Sequence, residues 1–258
     1  MIRTSSALAL SALVLSCYTG GAGAADIYDS TYGARIKDSY ASEAWGNSRP
    51  TFYLRLDGLY GEHDAPVMVE DGIYDLKHEQ VDGAWGIGGG VGTYFTPNLR
   101  GDVTVERRFE TDASGALLNR ASGIGGVREF GLESTLVMFN AYYDFDSRSH
   151  FTPYLGVGLG YIYNETKDGS VALTGGGTGT VAGAGKSDAA GALMAGVSVA
   201  LLDRVKLDVG YRFLYMGEAT TGPVVVTTPG GGRVASRDPT VEDLHAHEVK
   251  FGLRYDWN

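Results

Sequence analysis

Charged residues recur in this chain two positions apart: Arg55 with Asp57, Arg100 with Asp102, Glu106 with Arg108, Lys206 with Asp208, Glu248 with Lys250, and Arg254 with Asp256. Asp144 and Arg212 stand in similar surroundings. Residues two apart share one face of an extended backbone. The set holds seven bases and seven acids, and matched signs suit a sealed interior in which every charge needs a partner. The remaining chemistry is thin. His245 and His247 share a strand face and could share a metal, but no third ligand is assured. Gly185-Lys186-Ser187 lacks the first glycine of a phosphate-binding loop, because Thr180 stands there. Gly177-x-Gly179-x-x-Ala182 matches a dinucleotide fingerprint only nominally, without the strand and helix it requires. Asn164-Glu165-Thr166 is a sequon without evident use. An enzyme would need a nucleophile beside His63, His78, His245 or His247, and no serine has that spacing. No catalytic residue, cofactor or metal is expected.

The elements that must position these residues are legible from composition and period. The chain has 258 residues, 39 of them glycine, and a single cysteine. Its apolar share of 43% excludes a disordered chain, and one cysteine excludes a disulfide scaffold. A net charge of −10 argues against nucleic acid as a partner. Ala189 to Leu202 is the longest uncharged apolar candidate after the N-terminus, shorter than the ~18 residues of a membrane-spanning helix. Residues 1–24 read as a cleaved export signal: Arg3, an apolar stretch from Ala7 to Leu15, and Ala22-Gly23-Ala24 as the cleavage site. A lipoprotein reading, through Cys17, fits less well. A polar segment, 25–50, follows; a domain of strands fills 51–258.

Eight runs alternate apolar and polar residues, within 51–61, 84–95, 99–109, 132–145, 151–164, 189–201, 205–215 and 244–257. Short connections alternate strictly with long ones at about 62–83, 110–131, 165–188 and 216–243. An up-and-down meander of this kind gathers its long loops at one end and its termini at the other, as an outer-membrane barrel does. The expected fold is therefore all-β: an eight-stranded antiparallel up-and-down transmembrane barrel with long external loops and short periplasmic turns. A soluble lipocalin-like barrel is the alternative, with the apolar face inside. Aromatics at strand ends (Phe95, Phe109, Tyr143, Tyr161, Tyr211, Phe213 and Trp257 among them) favour the membrane form. The matched charges favour it too, as do glycines that leave room for long side chains on the same face.

Several segments carry a family resemblance: Tyr53-Leu54-Arg55-Leu56-Asp57-Gly58, Leu99-Arg100-Gly101-Asp102-Val103-Thr104 and Phe139-Asn140-Ala141-Tyr142-Tyr143-Asp144. Phe151-Thr152-Pro153-Tyr154-Leu155-Gly156-Val157-Gly158 adds to them, as does the last run from Leu244 through Gly252-Leu253-Arg254-Tyr255. From about Phe52 onward the chain resembles the alphaproteobacterial small outer-membrane β-barrel family, porin-like proteins with an eight-stranded domain similar to that of OmpA. The resemblance implies a Gram-negative outer-membrane location, with function only loosely attached. Members are major envelope proteins, and some are described as surface antigens or haem binders. In such barrels a terminal aromatic motif serves as the assembly signal, here Phe251, Leu253, Tyr255 and Trp257, displaced one position by Asn258. No domain follows the barrel, so tethering to the cell wall is not expected.

These readings lead to a non-enzymatic structural protein that supports the envelope and presents surface loops. The expected partners are outer-membrane lipid, lipopolysaccharide and the barrel-assembly machinery, with host or environmental surfaces as further contacts. A small pore or a ligand-binding barrel, for example for haem, is the alternative. It requires the glycine rows Gly86–Gly92 and Gly156–Gly160 to line open space. A lipid A-modifying enzyme is the third. The first loop is acidic, with Glu62, Asp64, Glu70, Asp71, Asp75, Glu79 and Asp82 against Lys77, and could bridge divalent cations to lipopolysaccharide phosphates. The third, glycine-rich from Thr174 to Gly185, is expected to be mobile and antigenically exposed.

Overall fold

A computed structural model describes residues 52–63, 67–69, 75–118, 125–147, 149–174, 176–227, 230–236 and 240–257. The expected signal peptide and the 25–50 segment lie outside the described residues, as does part of the acidic first loop. The strands are, in chain order, β1 (Phe52–His63), β2 (Val67–Val69), β3 (Asp75–Val81), β4 (Ala84–Tyr94), β5 (Leu99–Leu118), β6 (Gly125–Asp144), β7 (Phe151–Thr166) and β8 (Gly169–Leu173). Then come β9 (Thr178–Val181), β10 (Ala184–Leu202), β11 (Val205–Tyr215), β12 (Ala219–Thr220), β13 (Val224–Thr227), β14 (Arg233–Ser236), β15 (Thr240–Glu242) and β16 (His245–Trp257).

Eight strands form the wall: β1, β4, β5, β6, β7, β10, β11 and β16, each antiparallel to the next. β16 closes on β1 in a register running from Phe52 opposite Trp257 to His63 opposite Ala246. Closure gives every wall strand two partners, the condition for a sheet surrounded by lipid. Alternation then sorts the side chains. Leu159 is 74% exposed, Leu56 67%, Trp85 65% and Phe139 65%, while Arg100 on the other parity is 0% exposed. The apolar face is outside, so the lipocalin-like alternative fails. From Phe52 to Tyr60 the outward face of β1 runs ~27 Å along the strand. A tilt of ~40° reduces that to roughly 21 Å, close to the apolar band of an outer-membrane barrel. Tyr60 stacks obliquely on Trp85, ring centres 4.9 Å apart, where the apolar face of β1 gives way to Glu62.

The glycines on the inner parity are close-approach positions. A Cβ at Gly88 would stand 2.6 Å from Glu106 Cγ, and one at Gly156 2.6 Å from Tyr142 Cδ1. One at Gly92 would run into the Tyr53 ring. The two glycine rows therefore accommodate long neighbours and do not line open space. Gly92→Ala should displace Tyr53 from its contact with Asp102 and cost about 1–3 kcal/mol. The midpoint of urea unfolding in micelles checks this.

The long connections differ from expectation, for three of the four are largely strand. β5 and β6 each run 20 residues, well past the apolar band. Beyond the barrel they continue as an open sheet in the order β3-β5-β6-β8-β9-β13-β14. The glycine-rich segment expected to be mobile contains β9, paired on one edge with β8 and on the other with β13. The sequence hid this because runs such as Ala113-Ser114-Gly115-Ala116 and Thr178-Gly179-Thr180 are small and uncharged on both faces. Period two is present there without contrast in hydropathy. β12, β15 and β2 form a separate small sheet.

Candidate functional site

The barrel interior is where this chain concentrates its polar chemistry. Thirteen of the fourteen charged residues singled out above are buried, and Lys206 is partly exposed. Arg212, from β11, holds the centre. Its Nε donates to Glu248 Oε2 (2.6 Å), its Nη1 to Glu106 Oε1 (2.9 Å) and its Nη2 to Glu106 Oε2 (2.6 Å). Lys250 donates to Glu106 Oε1 (2.6 Å) and stands 3.4 Å from Asp57. Arg108 donates to Glu248 (2.9 Å) and to Glu106 (3.3 Å). Toward the end of the barrel that carries Phe52 and Trp257, Arg55 joins Asp57 (2.9 Å) to Asp102 (2.7 Å). Arg100 reaches Asp144 (3.0 Å) and Lys206 reaches Asp256 (2.9 Å). Arg254 lies 3.4 Å from Asp208. Burial strips these charges of water, and the pairing offsets that penalty only because each acid meets a base at hydrogen-bond range or close to it.

Sequence reasoning put Asn140, Tyr142 and Ser198 on the polar face but limited the network to its charged members, and so left out the neutral groups that bind them. Tyr53 donates to Asp102 (3.0 Å), Tyr94 donates to Asp256 (3.1 Å) and accepts from Lys206 (3.0 Å), and Tyr142 accepts from Arg55 (2.9 Å). Asn140 donates to Asp102 (2.8 Å), and Ser198 donates to Asp208 while accepting from Arg254 (2.7 Å). It also missed an apolar wall. Leu136, Met138, Ile162, Ala190 and Ala192 line the inner faces of β6, β7 and β10. Leu214, Met216, Ala219, Val241 and Leu244 extend that cluster to the far end of the barrel, where the small sheet joins it. Their parity was the available signal: each wall residue occupies an inward position in its strand.

Hydrogen bonds strap the 216–223 segment over this end. Asn164 Nδ2 donates to the carbonyls of Met216 and Glu218, each at 3.1 Å, and accepts from Ser134 (2.7 Å). Thr166 donates to the carbonyl of Thr220 (3.0 Å), and the Asp188 carboxylate accepts from the Glu218 amide (3.0 Å). Gly217 takes a left-handed backbone, φ 67°, where Asp188 packs against it. Asn164 is 0% exposed, so the sequon is buried structure. Asn164→Ala should cost about 1–3 kcal/mol by leaving buried carbonyls without a donor. Faster amide exchange in 216–220 checks it.

The other motifs fall outside this interior. Lys186 lies on β10 and pairs with Glu218, so Gly185-Lys186-Ser187 cradles nothing. Gly177–Ala182 contributes to β9. His245 and His247 face outward beside Phe213, with ring centres 5.8 and 5.4 Å away, and Tyr211 hydrogen-bonds His247. Among the described residues no group of three His, Cys, Asp or Glu is arranged for a metal. His63 Nδ1 contacts the carbonyl of Asp82 (3.2 Å). Phe251, Leu253, Tyr255 and Trp257 all face outward. Just past the end of β7, Lys167 bonds Glu165 (2.8 Å), which raises the lysine pKa above its ordinary value.

Residues 19–256 match the family model for the outer membrane protein beta-barrel domain. An uncharacterized protein of Brucella abortus (strain 2308) is 29% identical over 222 residues, 77% of this chain and 78% of its own length. Outer membrane protein PagN of Salmonella typhimurium is 25% identical over 148 residues, 55% of this chain and 62% of its own. Among solved structures, Neisserial surface protein A aligns with a TM-score of 0.48 at 20% identity, over 80% of this chain and 97% of that one.

Proposed function

The chain belongs to the outer membrane protein beta-barrel domain family, and on that premise we propose that it is a closed, non-enzymatic structural protein of the Gram-negative outer membrane. It stabilises the envelope and holds a folded external sheet clear of the lipid. The single observation that carries this reading is the filled interior: a paired charge network on one side and an apolar wall on the other. The long side chains that fill the glycine rows weigh against a ligand-binding or haem-binding barrel. The outward, lipid-facing position of His245 and His247 weighs against an enzyme at the rim. Incubation with lipid A followed by mass spectrometry should leave the lipid unchanged.

Planar bilayers containing the purified protein are expected to show no steady channel, because the buried, paired side chains and the apolar wall occupy the bore among the described residues. Reproducible large openings would overturn the reading. Orientation has its own check on intact cells. Thr180→Cys, in the external sheet, should react with a membrane-impermeant maleimide, and Ser147→Cys, in a short turn, should not. Phe251, Leu253, Tyr255 and Trp257 serve in this reading as the signal for the assembly machinery. Lipid and lipopolysaccharide surround the outward face.

A further inference from the structure

Charged side chains are scarce on the outward face of the wall, and most of them gather on one side. Among the described residues Arg107, on β5, is the one base on the outward face of the eight wall strands, and Lys167, one residue past β7, joins it. Both converge on Glu133 of β6: Arg107 bonds its carboxylate through Nη2, and Lys167 Nζ stands 3.4 Å from it. Lys167 also donates to Glu165 (2.8 Å), and Arg107 donates to Thr135 (2.9 Å). Glu110 leans across to β6, where a Cβ at Gly131 would run into its carboxylate. Three carboxylates thus stand beside two bases. The pairs are open to their surroundings, with the Arg107 and Lys167 side chains 46% and 34% exposed. Exposed pairs of this kind hold weakly and exchange partners at little cost.

Register fixes the level at which this patch stands. Arg107 is opposite Thr135, and Thr135 is opposite Tyr163. Tyr161 and Tyr163 face outward, 58% and 43% exposed, as aromatic side chains do at the boundary of an apolar band. Glu110, Glu133 and Glu165 lie two or three residues beyond that line, toward the long-loop end. From the apolar band outward, the guanidinium strand position comes first and the carboxylates follow. The outward face of β11 and β16 carries Tyr215, His245 and His247 at its long-loop end and no carboxylate.

We infer that this patch binds the headgroup of an outer-leaflet lipid that carries a phosphate next to its acyl chains and a primary amine further out. The phosphate accepts from Arg107 at the level of the tyrosines, and the ammonium donates to Glu133 and Glu165 above it. Lys167 holds those two carboxylates together. A headgroup with a phosphate alone meets three carboxylates against two bases and is disfavoured. A quaternary amine has no N–H to donate. Among the described residues no three acids are arranged to hold a divalent cation in the amine's place. The inference rests on the outer-membrane placement above, and the labelling of Thr180→Cys tests that placement separately.

The refolded full chain is incubated with equal amounts of phosphatidylethanolamine, phosphatidylcholine and phosphatidylglycerol of matched acyl chains, then released from micelles in a native mass spectrometer. It should retain the ethanolamine lipid roughly three- to fivefold over either competitor. Arg107→Gln should reduce retention of the ethanolamine and choline lipids alike. Glu133→Gln with Glu165→Gln should bring the ethanolamine lipid down to the level of the choline lipid and raise the share of the glycerol lipid. Unboiled gel mobility shows whether each variant is folded; if the double variant is not, Glu165→Gln alone carries the test. Retention of the choline or the glycerol lipid equal to that of the ethanolamine lipid means that the amine makes no specific contact and overturns the inference. Displacement of the lipid by millimolar free phosphoethanolamine means that a soluble headgroup is the ligand and overturns it equally.

Discussion

Arg212→Ala is expected to lower the unfolding free energy by about 3–5 kcal/mol, and Glu248→Ala by a similar amount. Arg212 donates to both oxygens of Glu106 and to Glu248, and its side chain is 1% exposed. Removing it leaves two buried carboxylates sharing Lys250 and Arg108. Neither remaining base can move far, because each is anchored to its own strand. Removing Glu248 leaves Arg108 with only its 3.3 Å contact to Glu106. The cost arises from the stranded charge and not from the lost pair. Exchanging the whole cluster for apolar residues of similar volume should therefore cost less than either single change. Urea unfolding in lipid vesicles, followed by tryptophan emission, measures both variants. An unchanged midpoint for both would mean a wet interior in which water takes the missing partner's place.

Leu214→Ala should cost about 2–5 kcal/mol. Leu214 is 0% exposed and packs within the apolar cluster that also contains Met216, Leu244 and Ala246. Truncation leaves a void beneath the strapped segment, and the hydrogen bonds of Asn164 and Thr166 prevent that segment from collapsing into it. Leu159→Ala makes the contrast. Leu159 is 74% exposed on the outer face, where lipid chains refill the space, so its change should cost less than about 1 kcal/mol. Equal losses from the two variants would mean that the apolar wall is not a packed core.

Much of this barrel was legible before any coordinates. The wall strands, their short turns and the apolar parity of Leu54, Trp85 and Leu159 follow from period two. The same parity marks Arg55, Glu106 and Arg212 as one face. The external sheet was not legible, because Val171 and Leu173 alternate with Ser170 and Ala172 over only five residues and Thr178-Gly179-Thr180 carries no contrast. The apolar wall was legible only in principle. Leu136, Met138 and Ile162 sit on the parity that carries charge elsewhere, and alternation alone does not say which inward residues meet.

The sequence by itself determined the class of the protein: a meander of alternating strands with balanced charges on one face. That information is local, since neighbouring side chains of a strand must point opposite ways. The tertiary structure decided which face turned outward, that Arg212 meets Glu106 across the bore, and that Asn164 holds a segment 52 residues away. Those outcomes depend on how far each strand is staggered when the sheet closes. Stagger is fixed by the fit of all eight wall strands together, and no single strand carries it.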